Sequence, residues 1–178
     1  MSVGGAAAGT EVGLGRRLTA EDVERLFEDH HRHLVRLAGL LTGDGDQAQD
    51  LVADVFAALL RKPRVAMDDP RAYLRRCVVN RVASAGRRSL RRATIGARID
   101  RPASSSASAE GPVAERDRVG RALMQLPGRQ REVIVLRHFE DLSEAQTAAL
   151  LGVPVGTVKS ANARGVAALA DLLREDPT

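Results

Sequence analysis

The sequence has 178 residues, of which 44% are hydrophobic and 2% aromatic, and it contains no tryptophan. A buried core must therefore be built mainly from leucine, valine and alanine at helical spacing, which predicts an all-α fold. The net charge of +4 is modest, and a lone cysteine, Cys77, excludes an internal disulfide and has no histidine near it in sequence to make it a catalytic thiol.

The N-terminal 17 residues are rich in glycine and alanine and show no hydrophobic periodicity. We predict that they form a disordered tail. No basic segment precedes an apolar stretch here, so the start does not have the pattern of a signal peptide. No run of apolar residues in the chain approaches the roughly 18 that a membrane span needs. We therefore expect no membrane insertion and a cytoplasmic location.

Residues 18–92 are predicted to form a bundle of three helices. The first begins at Thr19, which forms the pattern of a capping box with Asp22. Apolar positions then follow on one stripe, namely Val23, Leu26, Phe27, Leu34, Leu37 and Leu41. A histidine cluster interrupts this stripe at His30, His31 and His33. Neighbouring histidines on a helix point in different directions, so we predict no metal site and no cofactor.

The second helix is predicted to open near Asp44 or Asp46, with an apolar face at Leu51, Val52, Val55, Phe56, Leu59 and Leu60. The third starts with Asp69 as N-cap and Pro70 at the first helical position, the arrangement that such a start prefers. Between Arg71 and Ile99 there are nine arginines and no acid. This block of one sign favours a polyanionic partner, although a solvated helix face remains an alternative.

Residues 93–115 are rich in serine, alanine, proline and glycine and are predicted to be a flexible linker. Residues 116–175 then form a second unit of four predicted helices, which we treat as separate from the first three. One helix ends at Leu126 before Pro127, and the next runs from about Arg129 to His138.

The last two predicted helices have the pattern of a helix-turn-helix. Ser143 is the expected N-cap of the first, Gly152 its end, and Pro154 lies just ahead of the second. In this motif the second helix enters the DNA major groove. Here it presents Thr157, Lys159, Ser160 and Arg164, whereas Val158, Val166 and Leu169 are expected to face the core.

The segment "LPGRQREVIVLRHFEDLSEAQTAALLGVPVGTVKS" resembles region 4 of bacterial RNA polymerase sigma factors of the extracytoplasmic-function type. Independently, "DQAQDLVADVFAAL" resembles region 2.2 of the same family, and "PRAYLRRCVVNRVASAGRR" resembles regions 2.3 and 2.4. The two resemblances occur in the family's order, which makes them more specific together than either alone.

The resemblance implies three binding surfaces. Region 2.2 would dock on the beta-prime clamp helices of core RNA polymerase, and the matching residues are Asp46, Asp50, Val52 and Asp54. Three aspartates spaced four apart repel each other on a helix, which makes sense if a basic partner meets them, although a solvated face is the alternative. The family's other expected polymerase contact is the beta flap.

For the melted minus-10 element, the resemblance implies a flipped base held by Asn80 and by the loop 62–69. An amide can donate and accept at once, which suits the edge of an extruded base. The alternatives are that Asn80 caps local backbone and that Tyr73 packs in the bundle instead of stacking on a base. The implied residues are Lys62, Arg64, Tyr73, Arg76, Asn80, Arg81, Arg87 and Arg88.

For the minus-35 duplex, the matching residues are Arg137, Thr157, Lys159, Ser160, Ala163 and Arg164. The sequence departs from the family pattern at Ala161, where many relatives have arginine, and at Gly165, where alanine is usual. We therefore expect one basic group fewer on the recognition helix and weaker binding.

The sequence thus predicts a sigma factor that directs promoter-specific initiation and performs no bond chemistry itself. The resemblance also admits an anti-sigma partner, which nothing in the chain identifies. The alternative is a conventional helix-turn-helix regulator that acts on duplex DNA without core polymerase. An enzyme is disfavoured because the sequence contains no metal-ligand spacing, phosphate-binding glycine loop or nucleophile motif.

Overall fold

A computed structural model describes residues 18–61, 67–94 and 112–175, with side chains in 18–61, 67–86 and 118–175. Within these ranges every regular element is helical, and the all-α prediction is confirmed. The N-terminal tail, most of the predicted linker, and Lys62 and Arg64 of the predicted minus-10 loop lie outside the described residues.

Helices α1 (Ala20–Thr42), α2 (Gly45–Arg61) and α3 (Pro70–Thr94) form the N-terminal lobe. The predicted capping box is confirmed, because the Thr19 side chain accepts from the Asp22 backbone while the Asp22 carboxylate accepts from the Thr19 backbone. The Asp44 carboxylate accepts from the N–H of Gln47 and so caps α2. Asp69 caps α3 as predicted, 3.0 Å from the Ala72 nitrogen.

The core of this lobe is aliphatic, as the composition requires, and its fully buried residues include Leu34, Leu37, Val52, Leu74 and Val78. Two residues of the predicted apolar stripes are exposed and do not belong to the core. Phe27 is 42% exposed and Leu60 is 57% exposed. The Phe27 ring lies at the rim of the bundle, where it stacks on His31 and meets Phe56 edge-on.

The C-terminal lobe contains α4 (Pro112–Gln125), α5 (Gly128–Ile134), α6 (Glu144–Leu151) and α7 (Val155–Glu175). Helix α4 begins four residues before the predicted boundary at residue 116. Helix α5 continues as a π-helical segment, Val135–Phe139, and there the N–H of Glu140 bonds to the Val135 carbonyl. Such widened turns are rare and occur often at functional sites.

The two lobes contact each other, although the sequence pattern predicts two separate units. One buried apolar cluster includes Leu37 and Leu74 of the N-terminal lobe together with Leu123 and Leu136 of the C-terminal lobe. Periodicity within each helix cannot reveal this contact, because it reports that a face is apolar and not which helix covers it.

Candidate nucleic-acid interface

The helix-turn-helix is built by local capping, as the sequence predicts. Ser143 and Gln146 form a reciprocal capping box at the start of α6. Gly152 ends that helix with a left-handed backbone, φ 65°, a conformation that is strained for most residues with a side chain. Pro154 then precedes α7, and its carbonyl accepts from the N–H of Thr157. These features set α7 at an angle to α6.

Helix α7 has one buried and one exposed face. Val158 and Ala161 are buried against the rest of the lobe. On the opposite side, an exposed stripe consists of Lys159, Ser160, Ala163 and Arg164. Four of the six predicted minus-35 residues therefore share one exposed surface, which we call the recognition face. The prediction for Val166 is wrong, because its side chain is 44% exposed and does not face the core.

The structure corrects the interpretation of Ala161. Its methyl group is buried, so a longer side chain at this position would project into the lobe and not from the recognition face. The expectation that alanine here removes a DNA-facing basic group is therefore wrong for this chain.

Gly165 also has a packing reason that the sequence did not reveal. A Cβ at this position would lie 2.8 Å from Cγ1 of Ile134. Helices α5 and α7 thus approach too closely at this point for any side chain to fit without displacement. Close packing of α5 against α7 therefore offsets the low helix propensity of glycine at this position.

The remaining two predicted minus-35 residues are half-buried. The Arg137 guanidinium donates to the carbonyl of Leu142 and thereby ties the loop before α6 to the preceding helix. Thr157 lies in the first turn of α7, and its carbonyl accepts from the Ser160 hydroxyl.

Sequence reasoning missed His138, an exposed residue beside the recognition helix. Its Nε2 lies 3.0 Å from Oδ1 of Asn162 in α7. The contact joins residues 24 positions apart in sequence, so no local pattern indicates it.

The predicted minus-10 surface lies on α3. Asn80 and Arg76 are both exposed on this helix. The backbone carbonyl of Asn80 accepts from the Ser84 hydroxyl at 2.8 Å, while the Asn80 amide faces solvent. Arg87 and Arg88 continue the same helix, but their side chains lie outside the described residues.

Tyr73 is half-buried and shares a hydrogen bond with Cys77. Burial raises the pKa of the Tyr73 phenol, and the neighbouring thiol adds to the effect. Burial likewise raises the pKa of the Cys77 thiol, and the opposing effects of the Tyr73 hydrogen bond, Arg81 and Arg76 only partly offset it. The thiol is therefore protonated at neutral pH and behaves as a small packing residue.

Three aspartates of the predicted polymerase surface, Asp46, Asp50 and Asp54, are all exposed on α2. Val52, assigned with them, is fully buried in the core of the N-terminal lobe. Its assignment as a polymerase contact is wrong, because a partner could reach its side chain only by opening the bundle. We call the three aspartates the acidic stripe.

Among the residues that the structure describes, no group of three or more histidine, cysteine or carboxylate side chains is placed to hold a metal ion. His31 points to Phe27 and His33 to Glu140, so the histidine cluster diverges. Over the same part of the chain, no helix combines the length and apolarity that crossing a membrane requires.

Comparison with known protein families agrees with this geometry. A model of "Sigma-70 region 2" matches residues 26–92, and a model of "Sigma-70, region 4" matches residues 116–169. The sigma factor SigM of Mycobacterium tuberculosis is 37% identical over 153 residues, which cover 84% of this chain and 76% of SigM. The sigma-E factor of Streptomyces coelicolor is 34% identical over 163 residues, or 90% of this chain and 89% of that one.

Solved structures show the same similarity. The sigma factor RpoE of Bartonella quintana, in complex with the anti-sigma factor NepR, aligns with a TM-score of 0.70 and 25% identity over 88% of this chain and 99% of RpoE. CnrH, in complex with the cytosolic domain of CnrY, aligns with a TM-score of 0.61 and 27% identity over 89% of this chain and 91% of CnrH.

These matches show that the chain contains both region 2 and region 4 of the sigma-70 class. The chain belongs to the extracytoplasmic-function sigma factors of the sigma-70 family. The alternative of a helix-turn-helix regulator independent of polymerase is not favoured, because the region 2 match covers the N-terminal lobe as well.

Proposed function

We propose that this chain binds core RNA polymerase and directs it to promoters through two DNA-binding surfaces, one on each lobe. The observation that supports this most strongly is the simultaneous exposure of Asn80 on α3 and of the recognition face on α7. A regulator acting on duplex alone does not account for the region 2 match over residues 26–92 of the N-terminal lobe.

The recognition face is proposed to enter the major groove at the minus-35 element. The groove is about 12 Å wide and admits one helix. Lys159 is 65% exposed and lies 3.8 Å from Glu144, a weak surface pair that DNA can displace. Arg164, five residues further along α7, is placed to donate to a guanine edge or to a phosphate. Arg137 is proposed to act mainly by fixing the loop before α6.

The surface around Asn80 is proposed to hold an unpaired base of the minus-10 element. Extruding a base costs a few kcal/mol, which contacts in the pocket must offset. The Asn80 amide supplies one donor and one acceptor for the edge of the base. Arg76, four residues earlier, supplies a phosphate contact that is independent of sequence and sensitive to salt. The described part of α3 carries these two groups on exposed positions.

The acidic stripe is proposed to dock on a basic surface of core polymerase, the beta-prime clamp helices. In isolation, like charges four residues apart destabilise a helix, whereas a basic partner reverses the sign of that interaction. We further propose a cytoplasmic location and regulation by an anti-sigma factor, since the similar sigma factor RpoE is known in complex with the anti-sigma factor NepR. The chain is proposed to act by binding, with the bond chemistry left to the polymerase.

The experiment is run-off transcription with purified core enzyme on a library of promoter fragments. We expect transcripts only when the chain is added, from fragments that share two motifs at fixed spacing. The double substitution Asp46→Arg and Asp50→Arg should abolish both transcription and co-elution with core. The double substitution Glu24→Arg and Glu28→Arg at two exposed positions of α1 is the matched control, since it makes the same charge change at the same spacing outside the acidic stripe. Transcription that survives loss of the stripe would contradict the docking surface.

A further inference from the structure

Glu144 is a carboxylate at the edge of the recognition face. It is the first residue of α6, its side chain is 35% exposed, and Oε2 lies 3.8 Å from Nζ of Lys159. The capping box of α6 is made by Ser143 and Gln146, so the Glu144 carboxylate is not used in that cap. One acid therefore stands beside a surface whose two charged residues, Lys159 and Arg164, are both cations.

The short distance between Glu144 and Lys159 fixes where the carboxylate lies when DNA is bound. Successive base pairs of a duplex are about 3.4 Å apart. Because the two charged groups are 3.8 Å apart, any base edge that Lys159 reaches lies within about one base pair of Glu144. An exposed ion pair is weak, so each member can exchange its partner for a base. The acid thus enters the major groove together with the lysine, if the proposed function holds.

A carboxylate in the major groove needs a hydrogen-bond donor, because an unpaired charge that leaves water is costly. The base edges offer two donors, the N4 amino group of cytosine and the N6 amino group of adenine. The adenine amino group adjoins the N7 acceptor, which an acceptor-only carboxylate meets unfavourably. The cytosine amino group adjoins O6 of the paired guanine, an acceptor that suits a lysine. A carboxylate beside an ammonium group therefore matches a cytosine–guanine pair.

Two uncharged groups on α7 already have partners within the lobe. Oδ1 of Asn162 lies 3.0 Å from Nε2 of His138. The Ser160 hydroxyl donates to the carbonyl of Thr157. A carboxylate also accepts more strongly than a neutral oxygen, because hydrogen bonds to an ionised acceptor are roughly twice as strong. Glu144 is therefore the acceptor best suited to read an amino group at this edge of the recognition face.

We propose that Glu144 is a specificity-determining residue, which accepts a hydrogen bond from the N4 amino group of a cytosine in the minus-35 element. The cytosine lies in the base pair that Lys159 contacts or in the pair next to it, and Lys159 donates to a guanine O6 or N7. Discrimination has two parts. Cytosine is attracted, whereas thymine presents O4, which repels the carboxylate, and a methyl group. The inference rests on the proposed function, because it requires the recognition face to enter the major groove.

The test is selection of promoter duplexes by the holoenzyme, the chain bound to core polymerase. The duplexes are randomised over the minus-35 element and share one minus-10 element. Lys159→Ala first locates the base pair at which a preference for guanine is lost. At that pair or an adjacent one, the parent should prefer cytosine to thymine by about tenfold, and Glu144→Gln should remove this preference. Glutamine should also raise the share of adenine, since its amide matches N6 and N7, whereas Glu144→Ala should lose cytosine without gaining adenine.

The matched control is Asp141→Asn. It removes an exposed carboxylate from the loop just before α6, at a left-handed position, φ 52°, that asparagine tolerates. Both Asp141→Asn and Glu144→Gln raise the net charge by one, so both should tighten binding to all sequences alike at low salt. A purely structural role for Glu144 at the N-terminus of α6 would change thermal stability or the affinity for all sequences. Neither effect changes the preference for one base.

The proposal is overturned if the parent shows no cytosine preference beside the pair that Lys159 reads. It is also overturned if Glu144→Gln keeps the same cytosine preference as Asp141→Asn. A parent that selects a minus-35 sequence while Glu144→Gln selects the same one rejects the inference and leaves the proposed function intact. A parent that binds core polymerase but selects no minus-35 sequence rejects the proposed function as well.

Discussion

Arg81 on α3 pairs with Asp54 on α2, with Nη1 3.1 Å from the carboxylate and Nη2 3.0 Å from the Asp54 backbone carbonyl. The pair joins a residue of the acidic stripe to one of the proposed minus-10 surface. Arg81 thus has a structural partner in the absence of DNA, and its role as a phosphate contact competes with that partner.

The Arg81–Asp54 pair should contribute little to stability. The two side chains are 32% and 64% exposed, and exposed pairs typically contribute about 0.2 to 1 kcal/mol. A double-mutant cycle by urea unfolding should return a coupling in that range. The charge swap Asp54→Arg with Arg81→Asp should recover the coupling but not core binding, because the acidic stripe then carries a positive charge. Full core binding by the swap would contradict the role of Asp54.

Asn80→Ala and Arg76→Ala should weaken binding of holoenzyme to a single-stranded minus-10 oligonucleotide in different ways. Both are exposed, so each should change the free energy of unfolding by less than about 0.5 kcal/mol. Loss of the Asn80 amide should weaken the binding free energy for an oligonucleotide with the preferred base by about 1 to 3 kcal/mol and leave the salt dependence of binding unchanged. Loss of Arg76 should weaken all sequences alike and lower the salt slope by about 0.7. The reverse pattern in fluorescence anisotropy would contradict these roles.

Arg164→Ala should weaken binding to a minus-35 duplex by about 1 to 3 kcal/mol if the guanidinium reads a guanine edge. Arg174→Ala is the matched control. Arg174 lies at the far end of the same helix, where it pairs with Asp171 at 2.5 Å, and its removal should change duplex binding little. Equal losses for both variants would indicate that α7 contributes only general positive charge.

Gly165→Ala should destabilise the chain, although alanine favours helix by about 1 kcal/mol. The new methyl group would lie 2.8 Å from Ile134, and such overpacking costs about 1 to 3 kcal/mol. Gly86→Ala is the control, because no neighbouring atom lies within 4 Å and the propensity gain is realised in full. The midpoint temperature of unfolding should therefore fall for Gly165→Ala and rise for Gly86→Ala. A Gly165→Ala variant more stable than the parent would contradict the close packing of Gly165 against Ile134.

Stability should fall at alkaline pH partly through Cys77. Burial raises the pKa of its thiol, so above about pH 8.5 the unfolded chain releases the proton more readily than the folded chain. The unfolded state then binds fewer protons, and the free energy of unfolding decreases as pH rises. Urea midpoints between pH 8 and pH 10 should fall more steeply for the parent than for Cys77→Ala. An equal decrease of the urea midpoint in the parent and in Cys77→Ala would contradict a raised pKa of the Cys77 thiol.

Local sequence patterns predict the ends of helices well. Asp69 with Pro70, Ser143 and Gly152 were all assigned correctly, because a cap depends on residues within three or four positions. The exposed positions of the recognition face also follow from helical periodicity once the turn is located.

Tertiary contacts explain what the sequence could not show. Whether Val52 is buried, or Val166 exposed, depends on which helix lies opposite. The fit of Gly165 against Ile134 and the pairing of Glu140 with His33 join residues far apart in the chain. A single sequence carries no signal of such pairs, because they depend on how the helices pack against each other.

The central claim is that the chain recognises a promoter as a subunit of polymerase, and footprinting of one promoter with and without core enzyme tests it most directly. With core present, we expect protection at minus-35 together with permanganate-reactive thymines at minus-10. With the chain alone, we expect little protection and no reactive thymines. Full minus-35 protection by the chain alone, unchanged when core is added, would contradict the account.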